Sequence, residues 1–438
     1  MAKEGAIARI HSFQRFGSRL GLERMSALMA LLGDPQDDLR VIHVAGTNGK
    51  GSVCRYIYEI LRKNGYRTGI YTSPFIESFH ERIEFDGALI SDEDLDACTD
   101  LVMERVDHML ASGMDSPTEF EVLTAIAFVY FAKQDMDFLV LETGLGGGGD
   151  STNVVKRPLA TAITSISLDH TDRLGESVRK IAAEKAGIIK KNAPVAVNVD
   201  GREAAEVIAQ VALEKDAPLI DASKFRWRCL ESSTEGCVFS AEIMGRAYDE
   251  MRISMAGRHQ VRNAVCALTV IELMRANGYI RVTREGVLAG LSAARLPGRF
   301  EIFRGGPDAM PVIMDGAHNE AGAEALADAM EELFPGERVL VLMGVLRDKL
   351  LHPMLTNLNR FSSEYIATEP ANDRKLTALS LRAAIKGTGK ACAAFSDAGR
   401  ALDEAFRRRG EFGAILITGS LYLIGDLRRE TMERVEKK

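Results

Sequence analysis

Short apolar runs alternate along the chain with longer segments in which apolar residues recur at helical spacing. A short apolar run bounded by turn residues is typical of a buried strand, and strands that alternate with helices form largely parallel sheets. The segment 119–133 carries apolar residues on one helical face and predicts a long helix. The strands predicted in the first two-thirds of the chain are 41–45, 68–72, 138–142, 160–165 and 194–198.

Two later stretches change this pattern. Residues 225–255 alternate in the manner of antiparallel strands, with turn residues at 235–236 and 244–245. The sequence RLPGR at 295–299 contains turn formers and predicts a hinge between two domains. A second alternating set follows the hinge, with strands predicted at 312–315, 339–343, 365–368 and 415–418.

Composition narrows the class of protein. A chain of 438 residues is too long for one ordinary core, so we expect two domains. A hydrophobic share of 46% and a charged share of 27% are typical of a soluble globular protein. The net charge of −7, without a basic patch, argues against nucleic acid as a partner. Six cysteines without CxxC spacing argue against structural zinc and a disulfide framework.

The apolar runs also bear on location. None reaches the ~18 residues that a membrane-spanning helix needs. Residues 1–6 lack the apolar stretch of a signal peptide. We therefore expect a cytoplasmic protein without membrane contact.

The first chemical motif is GTNGKGS at 46–52, between the predicted strand 41–45 and a helix-like stretch. Its glycines let the backbone turn tightly and direct N–H groups at a phosphate, while the lysine adds positive charge. The alternative is an ordinary strand–turn–helix connection. We favour a phosphate loop, whose nucleotide contacts come from Gly46, Thr47, Asn48, Gly49, Lys50, Gly51 and Ser52.

This loop lacks the Ser or Thr that normally follows the lysine and binds magnesium, because Gly51 stands there. Three residues of metal-binding type lie at the carboxyl ends of predicted strands: Ser73, Glu142 and His170. Such strand ends build the sites of open α/β sheets, and a carboxylate there is costly unless it is paired or metal-bound. Taken alone, Ser73 could be a turn former, Glu142 a salt-bridge partner, and His170 a loop histidine whose hydrogen bonds are satisfied. Together they predict a site for Mg²⁺ or Mn²⁺.

The second set of strands has its own strand-end candidate, because Asp315 ends the predicted strand 312–315. The patterns together predict an α/β protein. A P-loop nucleotide-binding domain with a largely parallel central sheet occupies 1–296, and a smaller Rossmann-like C-terminal domain occupies 297–438.

Several motifs occur in one order over nearly the whole chain. They are GTNGKGS, YTSP with ESFHERI, ETGLGG, LDH and EKAGIIK, then HQ..NA at 259–264, LPGRFE at 296–301, DGAHN at 315–319 and TGSLYLIGD at 418–426. This series resembles the folylpolyglutamate synthase/dihydrofolate synthase family of the Mur ligase superfamily. GTNGK alone would indicate only the superfamily.

The resemblance implies an ADP-forming ligase that joins L-glutamate to a folate carboxylate. The γ-carboxylate of a reduced folate, or the carboxylate of dihydropteroate, attacks the γ-phosphorus of ATP and becomes an acyl phosphate. The amino group of glutamate then displaces phosphate through a tetrahedral intermediate. Clustered positive charge is needed because one anion attacks another. The partners are these small molecules alone, and we expect a monomer.

The resemblance also implies roles for individual residues. Those implied to act in catalysis are Lys50, Lys185, as an N-carbamate, Asp315 and His318. Those implied to contact the nucleotide outside the loop are Asn263, Arg299 and Asp315. Those implied to bind metal are Ser73 and Glu142 for the nucleotide's ion, and Glu142 and His170 for a second ion. Those implied to bind glutamate are His318 and Ser420.

Plainer interpretations of three of these residues stay open. Lys185 lies on a helix with an apolar side and is equally an exposed, solvated lysine. Arg299 fits a salt bridge in the linker. Ser420 fits the N-cap of a helix that begins at residue 421.

Two motifs depart from the family pattern. The family loop GLGGRLDATN reads GLGGGGDSTN here, at 144–153. Four consecutive glycines predict an unusually mobile loop. The loop borders the pterin site in the family, so a change in pterin contacts is expected. Phe75 replaces the histidine of TSPHL, which removes a polar group and adds aromatic surface.

Two other functions are weighed against the ligase. One is a Mur ligase acting on a peptidoglycan precursor, which the loop variant and the LPGRFE hinge disfavour. The other is a non-catalytic nucleotide-binding regulator, which the joint presence of the candidate catalytic residues disfavours. Whether a folate ligase of this sequence also makes dihydrofolate stays open.

Overall fold

Buried strands pair into three sheets in the computed structural model, which describes residues 5–17, 19–306 and 309–436. The first four residues, on which part of the signal-peptide argument rests, lie outside the described residues. The first sheet contains β1 (Val41–Ala45), β2 (Thr68–Tyr71), β3 (Ile83–Phe85), β4 (Ala88–Leu89), β5 (Phe138–Glu142), β6 (Ala160–Ile163), β7 (Val195–Val197) and β8 (Leu219–Asp221).

The order of strands across the first sheet is β4-β3-β2-β5-β1-β6-β7-β8. Neighbours from β2 to β8 run parallel, whereas β3 and β4 add an antiparallel edge. The predicted parallel sheet is therefore confirmed. Sequence analysis missed β3, β4 and β8 because each spans only two or three residues.

Helices cover both faces of this sheet, and none in the described ranges is long and apolar enough to cross a membrane. The α-helices of these ranges are α1 (Ala6–His11), α2 (Glu23–Leu31), α3 (Lys50–Lys63), α4 (Asp92–Ala111), α5 (Glu119–Ala132), α6 (Thr171–Leu174), α7 (Val178–Ala186), α8 (Arg202–Glu214), α9 (Arg258–Ala276), α10 (Arg284–Ala293), α11 (Glu320–Leu333), α12 (Leu351–Leu358), α13 (Ala378–Gly387), α14 (Ala398–Arg407) and α15 (Leu421–Glu436).

Side chains alternate between the faces of the central strand β1. Ile42 and Val44 join a core with α3 and α9, while Val41 joins a core with α2, α4 and α5. Helix α5 confirms the long helix predicted at 119–133. Its residues 121–131 are all buried, so it is enclosed on every side rather than on one face as predicted.

The second sheet is antiparallel, as predicted, with β9 (Trp227–Ser233), β10 (Gly236–Ile243) and β11 (Arg246–Ile253). The third sheet contains β12 (Glu301–Phe303), β13 (Val312–Asp315), β14 (Val339–Met343), β15 (Ser362–Ala367), β16 (Cys392–Ala394) and β17 (Ala414–Thr418). Its order is β12-β13-β17-β14-β15-β16, and only β12 pairs antiparallel among these described strands. Strand β15 begins at Ser362, before the predicted 365. The prediction began too late because the first residues of the strand are polar and do not extend the apolar run.

Close packing of α3 against α10 generates a prediction. A Cβ on Gly290 would lie 2.5 Å from Ile60 Cα and 2.6 Å from Ile60 N, and backbone cannot move aside easily. We expect Gly290→Ala to lower the free energy of unfolding by about 1–3 kcal/mol. Gly387→Ala is the matched control, because nothing lies within 4 Å of that added Cβ near the end of α13. Denaturant unfolding that gives equal stabilities would contradict this packing.

Candidate active site

The phosphate loop lies between the end of β1 and the first turn of α3, at the carboxyl edge of the first sheet. Gly49 has a φ of 83°, in the region that favours glycine. A Cβ on Gly49 would lie 2.5 Å from Asn263 Oδ1, and one on Gly46 would lie 2.0 Å from Thr164 Oγ1. Packing therefore requires both glycines and sets Asn263, a predicted nucleotide contact, against the loop.

Two lysine side chains converge on this loop. Lys185 Nζ donates to the Gly46 carbonyl at 2.7 Å, and Lys50 Nζ donates to the carbonyls of Gly46 at 3.2 Å and Thr47 at 3.3 Å. Lys185 is 4% exposed, so the alternative of a solvated lysine is wrong. Burial, and then the charge of Lys50, lower the pKa of Lys185 to about 7. Much of this amine is therefore neutral near pH 7.

The buried carboxylate of Glu142 lies beside the position of the missing hydroxyl. It accepts a hydrogen bond from Ser73 N at 3.3 Å. A Cβ on Gly51 would lie 3.7 and 3.9 Å from its two oxygens and 3.2 Å from Leu296 Cδ2. Burial raises the pKa of Glu142, and the positive charge of Lys50 opposes that rise. The carboxylate thus occupies space beside residue 51 that a hydroxyl side chain would crowd.

The three predicted metal ligands, Ser73, Glu142 and His170, line one cavity together. Burial lowers the pKa of His170 to about 4, so its imidazole is neutral and can offer a lone pair. A hydroxyl, a carboxylate and a neutral imidazole fit Mg²⁺ or Mn²⁺ as ligands. Within the described ranges, no group of three or more His, Cys, Asp or Glu side chains is arranged to hold a metal.

The carboxylate of Asp169, next to His170, receives three side chains from beyond the hinge. Lys349 Nζ lies 2.6 Å from Oδ1, Asn319 Nδ2 donates to Oδ2 at 2.9 Å, and His318 Nε2 lies 3.4 Å from Oδ2. Burial alone raises the pKa of Asp169, but His318 and Lys349 hold it well below its usual value. Sequence analysis missed three of these residues. Asp169 and Asn319 adjoin predicted residues, which is a usable signal, whereas Lys349 has no comparable signal.

Asp315 and His318 are held by backbone groups of the DGAHN segment and of Phe300. Asp315 accepts N–H groups from Phe300 at 2.9 Å and Ala317 at 2.8 Å. His318 Nδ1 lies 2.8 Å from the Gly316 carbonyl. A carbonyl only accepts, so Nδ1 carries a proton there, and Nε2, which faces the acceptor-only carboxylate of Asp169, makes a favourable contact only as a second donor. These backbone contacts hold Asp315 and His318 in place without a contribution from a ligand.

Two cavities meet at these residues. The phosphate-loop cavity, of about 640 Å³, is lined by residues 46–52, Glu142, Asn263, Arg299 and Asp315. The second cavity, of about 650 Å³, is lined by Ser420 among others. The residues that line both cavities are Ser73, Pro74, Gly144, Leu145, His170, His318 and Leu421. Ligands in the two cavities would meet along this shared wall.

Two residues that the sequence singled out, Ser420 in the wall of the second cavity and Phe75, have a further structural explanation. Ser420 Oγ accepts from Tyr422 N at 3.1 Å, so the helix-cap interpretation is confirmed alongside its position in the cavity wall. Phe75 packs on Phe79, with ring centroids 5.9 Å apart, under the guanidinium of Arg82. Its aromatic surface is thus partly used in local packing.

The four-glycine loop is held on the end of α7. Gly148 N donates to Glu184 O at 2.7 Å, and Gly149 N donates to Glu184 Oε1 at 2.8 Å. A Cβ on Gly147 would lie 2.6 Å from Glu184 O and 2.7 Å from Lys185 O. The contacts argue against the mobility expected from four glycines. Here glycine permits close approach of two backbones.

Sequence analysis also missed Trp227, the one tryptophan of the sequence. It begins β9, packs partly against the core of the first domain and lines the phosphate-loop cavity. Its only sequence signal is its residue type, because an aromatic at the start of an ordinary strand has no distinct spacing. An aromatic face in a cavity with a phosphate loop suits a nucleotide base.

A parallel sheet with a phosphate loop, facing a second parallel sheet across a shared cleft, defines the Mur ligase class. The sequence model of the Mur ligase middle domain matches residues 44–271, and that of the Mur ligase glutamate ligase domain matches 298–421. The chain is 38% identical to the dihydrofolate synthase/folylpolyglutamate synthase of Bacillus subtilis, over 98% of this chain and 99% of that relative. The chain belongs to the folylpolyglutamate synthase/dihydrofolate synthase family.

Solved structures agree in fold. Mycobacterium tuberculosis folylpolyglutamate synthase complexed with ADP superposes with a TM-score of 0.88 at 31% identity, covering 97% of this chain and 98% of that chain. E. coli FolC in complex with DHPP and ADP superposes with a TM-score of 0.85 at 30% identity, covering 99% of both chains. The family resemblance and the fold class predicted from the sequence are confirmed.

The position of Trp227 predicts a contact with the base of a bound nucleotide. We expect ADP to change the fluorescence of this single tryptophan saturably. Trp227→Ala should weaken ADP binding roughly tenfold, because stacking on an aromatic is lost. Trp227→Phe keeps an aromatic face and should bind within a few-fold of the wild type in calorimetry. Equal affinities for the alanine variant and the wild type would contradict the stacking role.

Proposed function

We propose that this chain is an ATP-dependent, ADP-forming ligase that adds L-glutamate to a reduced folate or to dihydropteroate. One observation carries the proposal: the phosphate-loop cavity and the second cavity meet along a shared wall that includes His170 and His318. A nucleotide and a carboxylic acid placed in the two cavities can therefore bring a γ-phosphate and a carboxylate together. The ADP complexes of the relatives support the assignment of the nucleotide.

The reaction has two steps. The substrate carboxylate attacks the γ-phosphorus of ATP, the bond to the leaving oxygen breaks, and ADP and an acyl phosphate form. The glutamate amine then attacks the acyl carbon, loses a proton, and phosphate leaves as the amide forms. Lys50 supports the first step with positive charge, because its ammonium lies on the phosphate loop at 3.2 Å from the Gly46 carbonyl.

Ser73 and Glu142 are the residues that we propose to hold one divalent cation, Mg²⁺ or Mn²⁺, and Glu142 and His170 are those that we propose to hold a second. When bound, such a cation neutralises phosphate oxygens, and phosphate and water complete its oxygen ligands. Glu142 contributes the buried carboxylate, and the Ser73 N–H at 3.3 Å orients it. His170 contributes a neutral imidazole on the wall shared with the second cavity.

Lys185 is proposed to act as an N-carbamate. A neutral amine attacks the carbon of CO₂ and loses a proton, which leaves an anion in place of a cation. The pKa of about 7 supports this, because burial and Lys50 favour the neutral amine. The carbamate would also relieve the repulsion between two ammonium groups that share the carbonyl of Gly46.

Residues on both sides of the hinge are proposed to hold the substrates. Asn263, Arg299 and Asp315, which line the phosphate-loop cavity, are proposed to contact the nucleotide. His318 and Ser420, which line the second cavity, receive the incoming glutamate. Ser420 keeps its role as helix cap, so its hydroxyl proton is free to donate to a glutamate carboxylate.

We place the domain boundary at 296/297. Strands up to Ile253 belong to the first two sheets, and strands from Glu301 belong to the third. The side-chain amides of Asn48 and Asn319 exchange two hydrogen bonds of 3.1 Å across this boundary. Closure of one domain on the other would exclude water and protect the acyl phosphate. A monomeric state and a cytoplasmic location stay predictions from the sequence.

Substrate-dependent ADP formation tests the function. We expect sustained turnover, and a product heavier by one glutamate, only when ATP, glutamate and either tetrahydrofolate or dihydropteroate are all present. Glu142→Ala should abolish activity, and His170→Ala should slow amide formation by about 10²–10³ while sparing ATP binding. Gly51→Thr should rescue neither variant.

The outcomes separate the alternatives. Turnover with a UDP-sugar peptide in place of folate would indicate a peptidoglycan ligase. Nucleotide binding without turnover on any substrate would indicate a regulator. Normal rates in both alanine variants would refute the proposed metal ligands.

Carbamate formation at Lys185 predicts a resonance in ¹³C NMR with labelled bicarbonate. At fixed dissolved CO₂ it should rise steeply, by roughly tenfold or more, from about pH 6 to about pH 8, because the neutral fraction of an amine with a pKa of about 7 rises about tenfold over that range and carbamate formation releases a further proton. Lys185→Ala should lose the signal and most turnover, which short carboxylic acids partly restore.

Lys190→Ala is the matched control, because the pKa of Lys190 is also lowered, to about 8, by burial. It should keep the signal. A resonance that survives in Lys185→Ala would refute the assignment.

A further inference from the structure

A row of buried polar side chains connects the central strand of the first sheet to the wall between the two cavities. His43, in the middle of β1, is fully buried, and its Nε2 lies 2.8 Å from Thr152 Oγ1. Thr152 Oγ1 donates to Asp150 Oδ1 at 2.5 Å. Asp150 Oδ2 accepts the N–H of Leu145 at 2.7 Å. Leu145 lines both cavities, so the row ends at their shared wall.

The direction of each hydrogen bond follows from the chemistry of the groups. An ionised Asp150 only accepts, so the single hydroxyl proton of Thr152 points to it. The threonine oxygen must then accept from His43, which places the imidazole proton on Nε2. His43 Nδ1 is left as a bare acceptor, and this buried atom has no hydrogen-bond partner among the described residues. The opposite tautomer would leave a buried N–H unpaired, which proteins rarely tolerate.

Backbone groups hold most of the loop: Gly149 O accepts from Gly21 N at 3.0 Å, and Gly148 O accepts from Asn153 Nδ2 at 2.9 Å. Residues 146–149 are all glycine and have no side chains to anchor, so backbone groups fix their path. Glu184 holds the loop from α7 through the N–H groups of Gly148 and Gly149. Asp150 holds the opposite end through Leu145. Removal of the support beneath Asp150 therefore releases the part of the loop that forms the shared wall.

We propose that His43 is a positioning residue that acts through Thr152 and Asp150 to hold Gly144 and Leu145 in the wall between the two substrates. The inference rests on the proposed ligation, which needs that wall in place. Burial, and then the charge of Lys190, lower the pKa of His43 to about 3, so the donor stays neutral in the working range of pH. His43 lines neither cavity and acts only through its hydrogen bond to Thr152.

Two matched pairs of variants test the row. Thr152→Ser keeps the hydroxyl, whereas Thr152→Val keeps the shape and removes it. His43→Gln places an amide N–H where Nε2 stands, whereas His43→Asn carries its amide at the level of Nδ1 and falls short of Thr152. Thr152→Val replaces the hydroxyl by a methyl group and Thr152→Ser deletes the methyl group, so a loss that only the valine variant shows reports the hydrogen bond. His43→Gln and His43→Asn both carry an uncharged amide, and they differ by the one methylene that decides whether the amide reaches Thr152.

The readouts are hydrogen exchange of the 144–150 peptide, the ADP dissociation constant, and the steady-state constants with tetrahydrofolate and glutamate. Thr152→Val and His43→Asn should speed exchange and lower kcat/KM for the folate by roughly 10- to 100-fold, because a hydrogen bond in a row that ends on a carboxylate is lost. ADP affinity should stay within about twofold. Thr152→Ser and His43→Gln should resemble the wild type.

Each result decides the inference. Wild-type exchange and kcat/KM in Thr152→Val would overturn it, even if a His43 variant fails to fold. Loss of ADP affinity in parallel with turnover would also overturn it, because that pattern indicates general damage. If the wild type ligates no folate, the proposed function fails, while the exchange pattern of the four variants still supports or overturns the positioning of the loop.

Discussion

Two lysine side chains on one carbonyl form the arrangement on which the rest of the site depends. Lys50 and Lys185 both contact the carbonyl of Gly46; Lys185 is buried, whereas Lys50 is half-buried on the cavity wall. Two ammonium charges so close would repel strongly unless anions stand nearby. The chain responds by lowering the pKa of Lys185 and by placing Glu142 beside the same loop. A site with this balance favours an anionic ligand, because phosphate oxygens pair with charge that is already fixed in place.

The same loop lacks a side chain at residue 51. In the usual phosphate loop a hydroxyl after the lysine reaches the metal. Here the carboxylate of Glu142 comes from the neighbouring strand β5, and its oxygens would make ordinary van der Waals contacts of 3.7 and 3.9 Å with a Cβ on Gly51. The closer neighbour of that Cβ would be Leu296 Cδ2 at 3.2 Å. The buried carboxylate therefore stands directly beside the position from which the usual hydroxyl is missing.

Sequence patterns predict the buried parts of this fold well and the contacts between domains poorly. Strands β5 and β14 are fully buried apolar runs, so their predicted bounds agree with the structure. Short strands such as β16 have too few residues to show a period. In the candidate site, Glu142 and His170 could be predicted because Glu142 ends strand β5 and His170 lies in the segment after strand β6. Lys349 could not be predicted, because its partner Asp169 lies on the other side of the predicted hinge and only the folded chain brings the two together.

The glycine-rich loop shows why composition misleads about mobility. Each glycine loses conformational entropy on folding. The hydrogen bonds that Asp150 and Glu184 accept from N–H groups of the loop offset this cost. The absence of side chains at Gly149 lets another segment approach: Gly21 N donates to Gly149 O at 3.0 Å, and a Cβ on Gly149 would lie 3.0 Å from Leu20 Cβ. Leu20 lines the second cavity. The N-terminal segment therefore supplies cavity surface beside Gly149, and a side chain at position 149 would have to displace it.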